Sequence, residues 1–126
     1  MAAWTNDELD RIGSADELRI AGLRPDGTLR DPVTIWVVRD GDDLYVRSFK
    51  GRTSGWFRGA QARHEGRVDA GGVTKDVDFA DEGDASVNER LDAAYRTKYQ
   101  RFGPQYVDPM VAPAAREATL RLTPRS

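Results

Sequence analysis

The stretch "YVRSFKGRTSGWFRGAQAR", Tyr45 to Arg63, holds Arg47, Lys50, Arg52, Arg58 and Arg63 without one acidic residue, in a chain whose formal net charge is −2. Taken in order, residues 1–46, 47–63, 64–86 and 87–126 carry net charges of −5, +5, −5 and +3. A short positive island between two acidic blocks is poorly suited to track a polyanionic duplex, which would repel the flanks. It suits a small anion such as a phosphate. The competing reading is a solvated surface loop whose arginines pair with the acidic flanks.

Other chemistries find little support. His64 is the only histidine and there is no cysteine, so neither a histidine pair nor a thiolate set is available to hold a metal. Ser48, Ser54 and Ser86 have no credible partners for a nucleophile–base–acid arrangement, since the sole histidine follows a loop among charges. Asp76 and Asp78 alternate along a strand and point to one face, where a solvated outer surface is the simpler explanation than an acid/base pair. Trp36, Trp56, Tyr95 and Tyr99 read first as packing residues, because aromatics supply much of a small core.

The elements that must position the island are legible on either side of it. Thr5 and Glu8 have capping-box spacing, with Trp4 and Leu9 placed as a hydrophobic staple, which predicts a short helix from Asn6 to about Gly13. "ELRIAGLR" (17–24) alternates as a strand, Pro25-Asp26-Gly27-Thr28 turns the chain, and "VTIWVVR" (33–39) and "LYVRS" (44–48) are a second and third strand about "DGDD". The three are expected to form an antiparallel meander. "WFRGAQAR" (56–63) predicts a short helix. "GRVDA" and "VTKDVDFA" flank Gly71-Gly72 as a hairpin. Ser86 and Glu89 repeat the capping-box spacing ahead of Leu91, Ala94, Tyr95, Lys98, Tyr99 and Phe102, a helical period running to Gly103-Pro104. "EATLRLTP" (117–124) is the last strand.

Six short strands and three helices predict an α+β, mostly β, fold: a six-stranded antiparallel barrel in which closure removes exposed edges. With 126 residues the chain is expected to form a single domain, 1–126. No apolar run is long enough to span a bilayer, and "MAAWTNDELD" lacks a signal-like pattern, so a cytoplasmic protein that binds neither membrane nor nucleic acid is expected.

The order "RPDGTLRDPVTIWVVRDGDDLYVRSFKGRTSGWFRGAQARHEGRV" resembles the split β-barrel flavin-binding superfamily, which includes pyridoxamine-phosphate-oxidase-like proteins and deazaflavin-dependent nitroreductases. The shared features are a turn and proline before a hydrophobic strand, a "DGD-LYV-S" hairpin, and a glycine-bearing basic loop leading into "W-R" and a short helix. "AYRTKY" (94–99) and "TLRL" (119–122) resemble a conserved bacterial family of unknown function within or beside that superfamily. The resemblance implies a homodimer that binds FMN or F420, with hydride transfer to a small organic acceptor and the chemistry supplied by the cofactor. It implies that Arg47 and Ser48 approach the cofactor, that Lys50, Arg52, Thr53 and Ser54 hold its phosphate, and that Trp56 and Arg58 brace the helix start. It implies no metal, and leaves catalytic side chains unassigned. The alternative is a non-catalytic split-barrel module that binds a ligand, or a structural dimer, without a redox cofactor.

Overall fold

The computed structural model describes residues 3–125. The chain runs α1 (Asn6–Ser14), β1 (Leu18–Gly22), β2 (Val33–Ile35), β3 (Val38–Asp40), β4 (Asp43–Arg47), α2 (Gly55–Arg63), β5 (Glu65–Ala70), β6 (Val73–Asp81), α3 (Ala85–Tyr99), α4 (Pro104–Val107), α5 (Pro113–Arg116) and β7 (Thr119–Pro124). The seven strands form one antiparallel sheet in the order β2-β1-β5-β6-β7-β4-β3. Its two outermost strands are consecutive pieces of the segment 33–40, so the curled sheet returns to the same stretch of chain.

That segment was expected to be one strand of six, and it is two of seven. The break falls at Trp36-Val37, where the backbone groups of Val37 leave the ladder. The Val37 N–H donates to the Tyr99 hydroxyl (3.1 Å), and the Val37 carbonyl accepts from the Tyr99 hydroxyl (3.0 Å) and the Lys98 ammonium (2.7 Å). A buried backbone needs partners, and here one tyrosine and one lysine of α3 stand in for a neighbouring strand. The expected meander is corrected by the same break: β1 pairs with β2 and β4 with β3, at opposite ends of the sheet.

The capping box is present as expected: the Glu8 N–H donates to Thr5 Oγ1 (3.1 Å) and the Thr5 N–H to Glu8 Oε1 (2.9 Å). Trp4 and Leu9 enter a core cluster that fills the curl of the sheet with Ile12, Leu18, Ile20, Phe57, Val68 and Leu120. For α3 the expectation fails at the start and holds for the Gly103 stop. Asp84, not Ser86, is the N-cap, its carboxylate accepting from the Val87 N–H at 3.0 Å. The α-helix stops at Tyr99 and the chain turns through 3-10 geometry before Gly103, at φ +95°. On its buried side α3 contributes Leu91, Tyr95 and Tyr99 to a second cluster with Val38, Tyr45, Val107 and Met110.

One glycine sets the position of α2: a Cβ on Gly22 of β1 would stand 2.7 Å from the Gly59 carbonyl oxygen, which is helix backbone. Only glycine allows the helix to rest this closely on the strand, which fixes where the helix start meets the loop before it.

Candidate functional site

A cleft of about 740 Å³ opens where β2 and Trp36, the end of β4, the loop 48–54, the start of α2 and the segment 105–110 converge. Its volume is in the range of small-molecule sites. Ile35 and Trp36 form part of one wall, Ser54, Gly55 and Trp56 another, and Tyr106, Pro109 and Met110 a third. Trp36 is held flat by stacking on Tyr99, with ring centroids 3.8 Å apart and planes 1° from parallel. Trp56 is half-buried against the main core, edge-on to Phe57. The two tryptophans therefore pack and line the cleft at once.

The basic island does not act as one site. Arg47 turns inward and is 1% exposed. Its Nε donates to Thr119 Oγ1 (3.0 Å), Nη1 to Asp92 Oδ1 (2.6 Å) and the Met110 carbonyl (2.9 Å), and Nη2 to the Asn88 carbonyl (3.1 Å) and Asn88 Oδ1 (2.8 Å). A guanidinium has five N–H donors, and all five are engaged. Arg47 lines the cleft but offers it no free donor, since its guanidinium ties β4, α3 and β7 together. Arg52 is also turned away: it donates to the Glu117 carbonyl (2.9 Å), stands 3.8 Å from Asp81, and covers the Phe57 ring. It lines a separate depression with Arg116 and Glu117. Arg58 is exposed on α2 and outside the cleft, and Arg63 stands 3.8 Å from Glu65.

Lys50 is the cation that remains. It is exposed and lines the cleft, and among the described residues no carboxylate lies within ion-pair distance of its ammonium. Ser48, Thr53 and Ser54 line the cleft beside it, with the Ser48 and Ser54 hydroxyls 2.7 Å apart. Ser54 is the N-cap of α2 but makes no capping bond with its side chain. The first amides of α2, at Gly55 and Trp56, are thus left without a side-chain acceptor, at the positive end of the helix dipole and on the cleft wall. An exposed ammonium, three hydroxyls and uncapped helix amides are together suited to hold an oxyanion.

The cleft residues that sequence reasoning missed include Gln105, Tyr106, Pro109 and Met110, beside Val33, Ile35 and Phe49. The available signal was Pro104 and Pro113, each at the first turn of a short helix after the Gly103 stop. His64 caps α2 at its far end in the left-handed conformation, φ 57°, its N–H donating to the Ala60 carbonyl at 2.9 Å. Among the described residues no cluster of His, Cys, Asp or Glu could hold a metal ion. No helix among them is long and apolar enough to cross a membrane.

Burial shapes the ionisation of the groups behind the cleft. It raises the Tyr95 and Tyr99 phenols above their ordinary range, and lifts Tyr45 to about 12, helped by Asp43. It lowers Lys98 to about 8, because its ammonium is withdrawn from solvent onto the Val37 carbonyl. None of these four lines the cleft.

The fold is similar to that of solved proteins of several descriptions, pyridoxamine 5'-phosphate oxidases among them. A candidate pyridoxamine 5'-phosphate oxidase from Listeria innocua superposes with a TM-score of 0.67 at 13% identity, over 96% of this chain and 93% of that one. The heme storage protein HutZ from Vibrio cholerae does so with a TM-score of 0.65 at 14% identity, over 96% and 90%. A protein described as an F420 reductase gives 0.60 at 16% identity, over 94% and 93%. At such identities the likeness is one of fold. No curated protein matches the chain. The chain belongs to the DUF2255 family, described as an uncharacterized protein conserved in bacteria, whose pattern matches residues 8–122.

Proposed function

We propose that the protein binds a flavin-type cofactor, FMN or F420, in the 740 Å³ cleft, as a homodimer, and passes hydride to a small organic acceptor. The observation that carries this reading is the pairing, within one cleft, of an aromatic-walled slot with an anion-holding end. Trp36 and Trp56 offer flat apolar surface for a ring system, and Lys50, Ser48, Thr53, Ser54 and the uncapped amides of α2 offer donors for a phosphate. When bound, the cofactor supplies the redox chemistry; the chain's own residues anchor the phosphate, orient the ring and exclude water. The neighbour described as an F420 reductase supports the choice of cofactor class.

The dimer is supported by where apolar surface is left exposed. Phe49 is 54% and Tyr106 59% exposed, with Val33 exposed beside them, and all three line the cleft. Phe102, also exposed, packs against Trp36 of the cleft wall. A second copy seated here would cover the patch and close the cleft.

A second reading, a ligand-binding module without catalysis, is favoured by one feature: the residues lining the cleft include no carboxylate and no histidine to serve as acid or base. Titration of the purified protein with FMN and with F420, followed by visible absorption, tests the binding. Saturable binding followed by turnover of a nitro or quinone acceptor with NADPH or reduced F420 is expected. Binding without turnover supports a non-catalytic module, and no binding of either cofactor overturns the cofactor reading and supports a module or structural dimer without a redox cofactor.

A further inference from the structure

We infer that the cleft selects a cofactor with one terminal phosphate and no acidic tail, FMN rather than F420, and that Lys50 is the residue that sets this preference. This deepens the reading above and rests on it. The basis is a charge count that the sequence alone misstates. Five cations fall within 47–63. Arg47 has every donor bound inside the protein, Arg52 is held by the Glu117 carbonyl and Asp81, Arg63 stands beside Glu65, and Arg58 lies outside the cleft. Lys50, its ammonium 5.7 Å from the Phe49 ring centroid, alone among the described residues presents to the cavity a positive charge free of carboxylates and of internal hydrogen bonds, reinforced by the partial positive charge at the start of α2.

One ammonium and one helix end match one phosphate group. F420 carries a phosphodiester and, beyond it, a chain of glutamate carboxylates, each of which needs a cation or open water. The walls of the cleft offer none beyond Lys50. The hydroxyls of Ser48 and Ser54 face each other at 2.7 Å, and either can be the donor, so at most one proton of the pair is freed toward an anion while the pair stays bonded. Lys50 is therefore the main source of discrimination between phosphorylated and unphosphorylated rings.

The test measures dissociation constants for riboflavin, FMN and F420 at one fixed ionic strength, using the intact protein, Lys50→Ala, and Arg121→Ala as an exposed control on β7 outside the cleft. Charge-assisted hydrogen bonds imply that FMN binds roughly tenfold or more tighter than riboflavin. That ratio should fall to about threefold or less in Lys50→Ala and persist in Arg121→Ala, with F420 binding roughly tenfold or more weaker than FMN. F420 binding as tightly as FMN, riboflavin matching FMN, or an FMN preference that survives Lys50→Ala would each overturn the inference while leaving the cofactor reading in place. No measurable binding of any of the three would overturn both. Circular dichroism of each variant separates lost affinity from lost fold.

Discussion

Replacing Arg47 with methionine keeps an unbranched apolar stem and removes the guanidinium, with its charge and all five donors. The consequences can be worked from the structure. The Asp92 carboxylate, whose side chain is 15% exposed, loses the 2.6 Å partner and keeps only Arg116, whose Nε lies 3.4 Å away without hydrogen-bond geometry. Asn88 Oδ1 and the carbonyls of Asn88 and Met110 lose a donor, and Thr119 Oγ1 loses the Nε contact. Breaking one partner out of a buried ion pair typically costs about 3–5 kcal/mol. The remaining Arg116 contact and the partial exposure of Asp92 place Arg47→Met near the lower figure, about 3 kcal/mol. For a chain of this size that is a fall in Tm of roughly 10 °C. Urea unfolding followed by tryptophan fluorescence, with a thermal melt by circular dichroism, measures both. Arg47→Lys retains a charge with three donors in place of five and should fall between the two. An Arg47→Met protein within about 1 kcal/mol of the parent, or one equally stable that has lost cofactor binding alone, would refute the view that Arg47 is framework rather than ligand.

Tyr99→Phe removes the hydroxyl that bridges Val37 N–H, Val37 C=O and the Asp16 carbonyl, and should cost about 2 kcal/mol in chemical denaturation, with hydrogen exchange rising at Val37. Gly22→Ala forces a Cβ to 2.7 Å from the Gly59 carbonyl oxygen and should destabilise by roughly 1–3 kcal/mol, because the neighbour is helix backbone that must move. Lys98, lowered to about 8 by burial, binds its proton less readily folded than unfolded, so its contribution to stability increases as pH rises from about 8 toward its unfolded value. The stability of the parent relative to Lys98→Met should accordingly grow between pH 8 and pH 10; a difference that is flat over that window would contradict the assignment.

Much of this fold is written in local signals. The Thr5–Glu8 capping box, the Gly71-Gly72 turn and the alternation of β5, β6 and β7 need only near neighbours to specify them, and each stands where the sequence places it. The break at Trp36-Val37 was not legible, because its cause is a tyrosine 62 residues away that satisfies the backbone of Val37 from the side. Asp84 displaced Ser86 as the cap of α3 for a related reason: both have capping chemistry, and spacing alone does not decide between them.

The candidate site divides in the same way. That a loop rich in cations and hydroxyls precedes a short helix could be read from "SFKGRTSGW", and the cleft does open there. Which cations face it could not be read. Arg47 and Lys50 are three residues apart, yet one is sealed by acceptors from α3, β7 and Met110 and the other stands free. Their difference is set by residues 41 to 72 positions distant in the chain. The third wall, with Tyr106 and Met110, lies in proline-punctuated turns whose short helices lack a period long enough to register.

In the proposed complex the loop 48–54 and the first amides of α2 grip a phosphate while the ring lies between Trp36 and Trp56. A crystal structure of the protein saturated with FMN tests it most directly. The account predicts phosphate oxygens about 3 Å from the Gly55 or Trp56 amide and from the Lys50 ammonium, with the ring inside the cleft. FMN ordered elsewhere on the molecule, or a vacant cleft at saturating FMN, would contradict it.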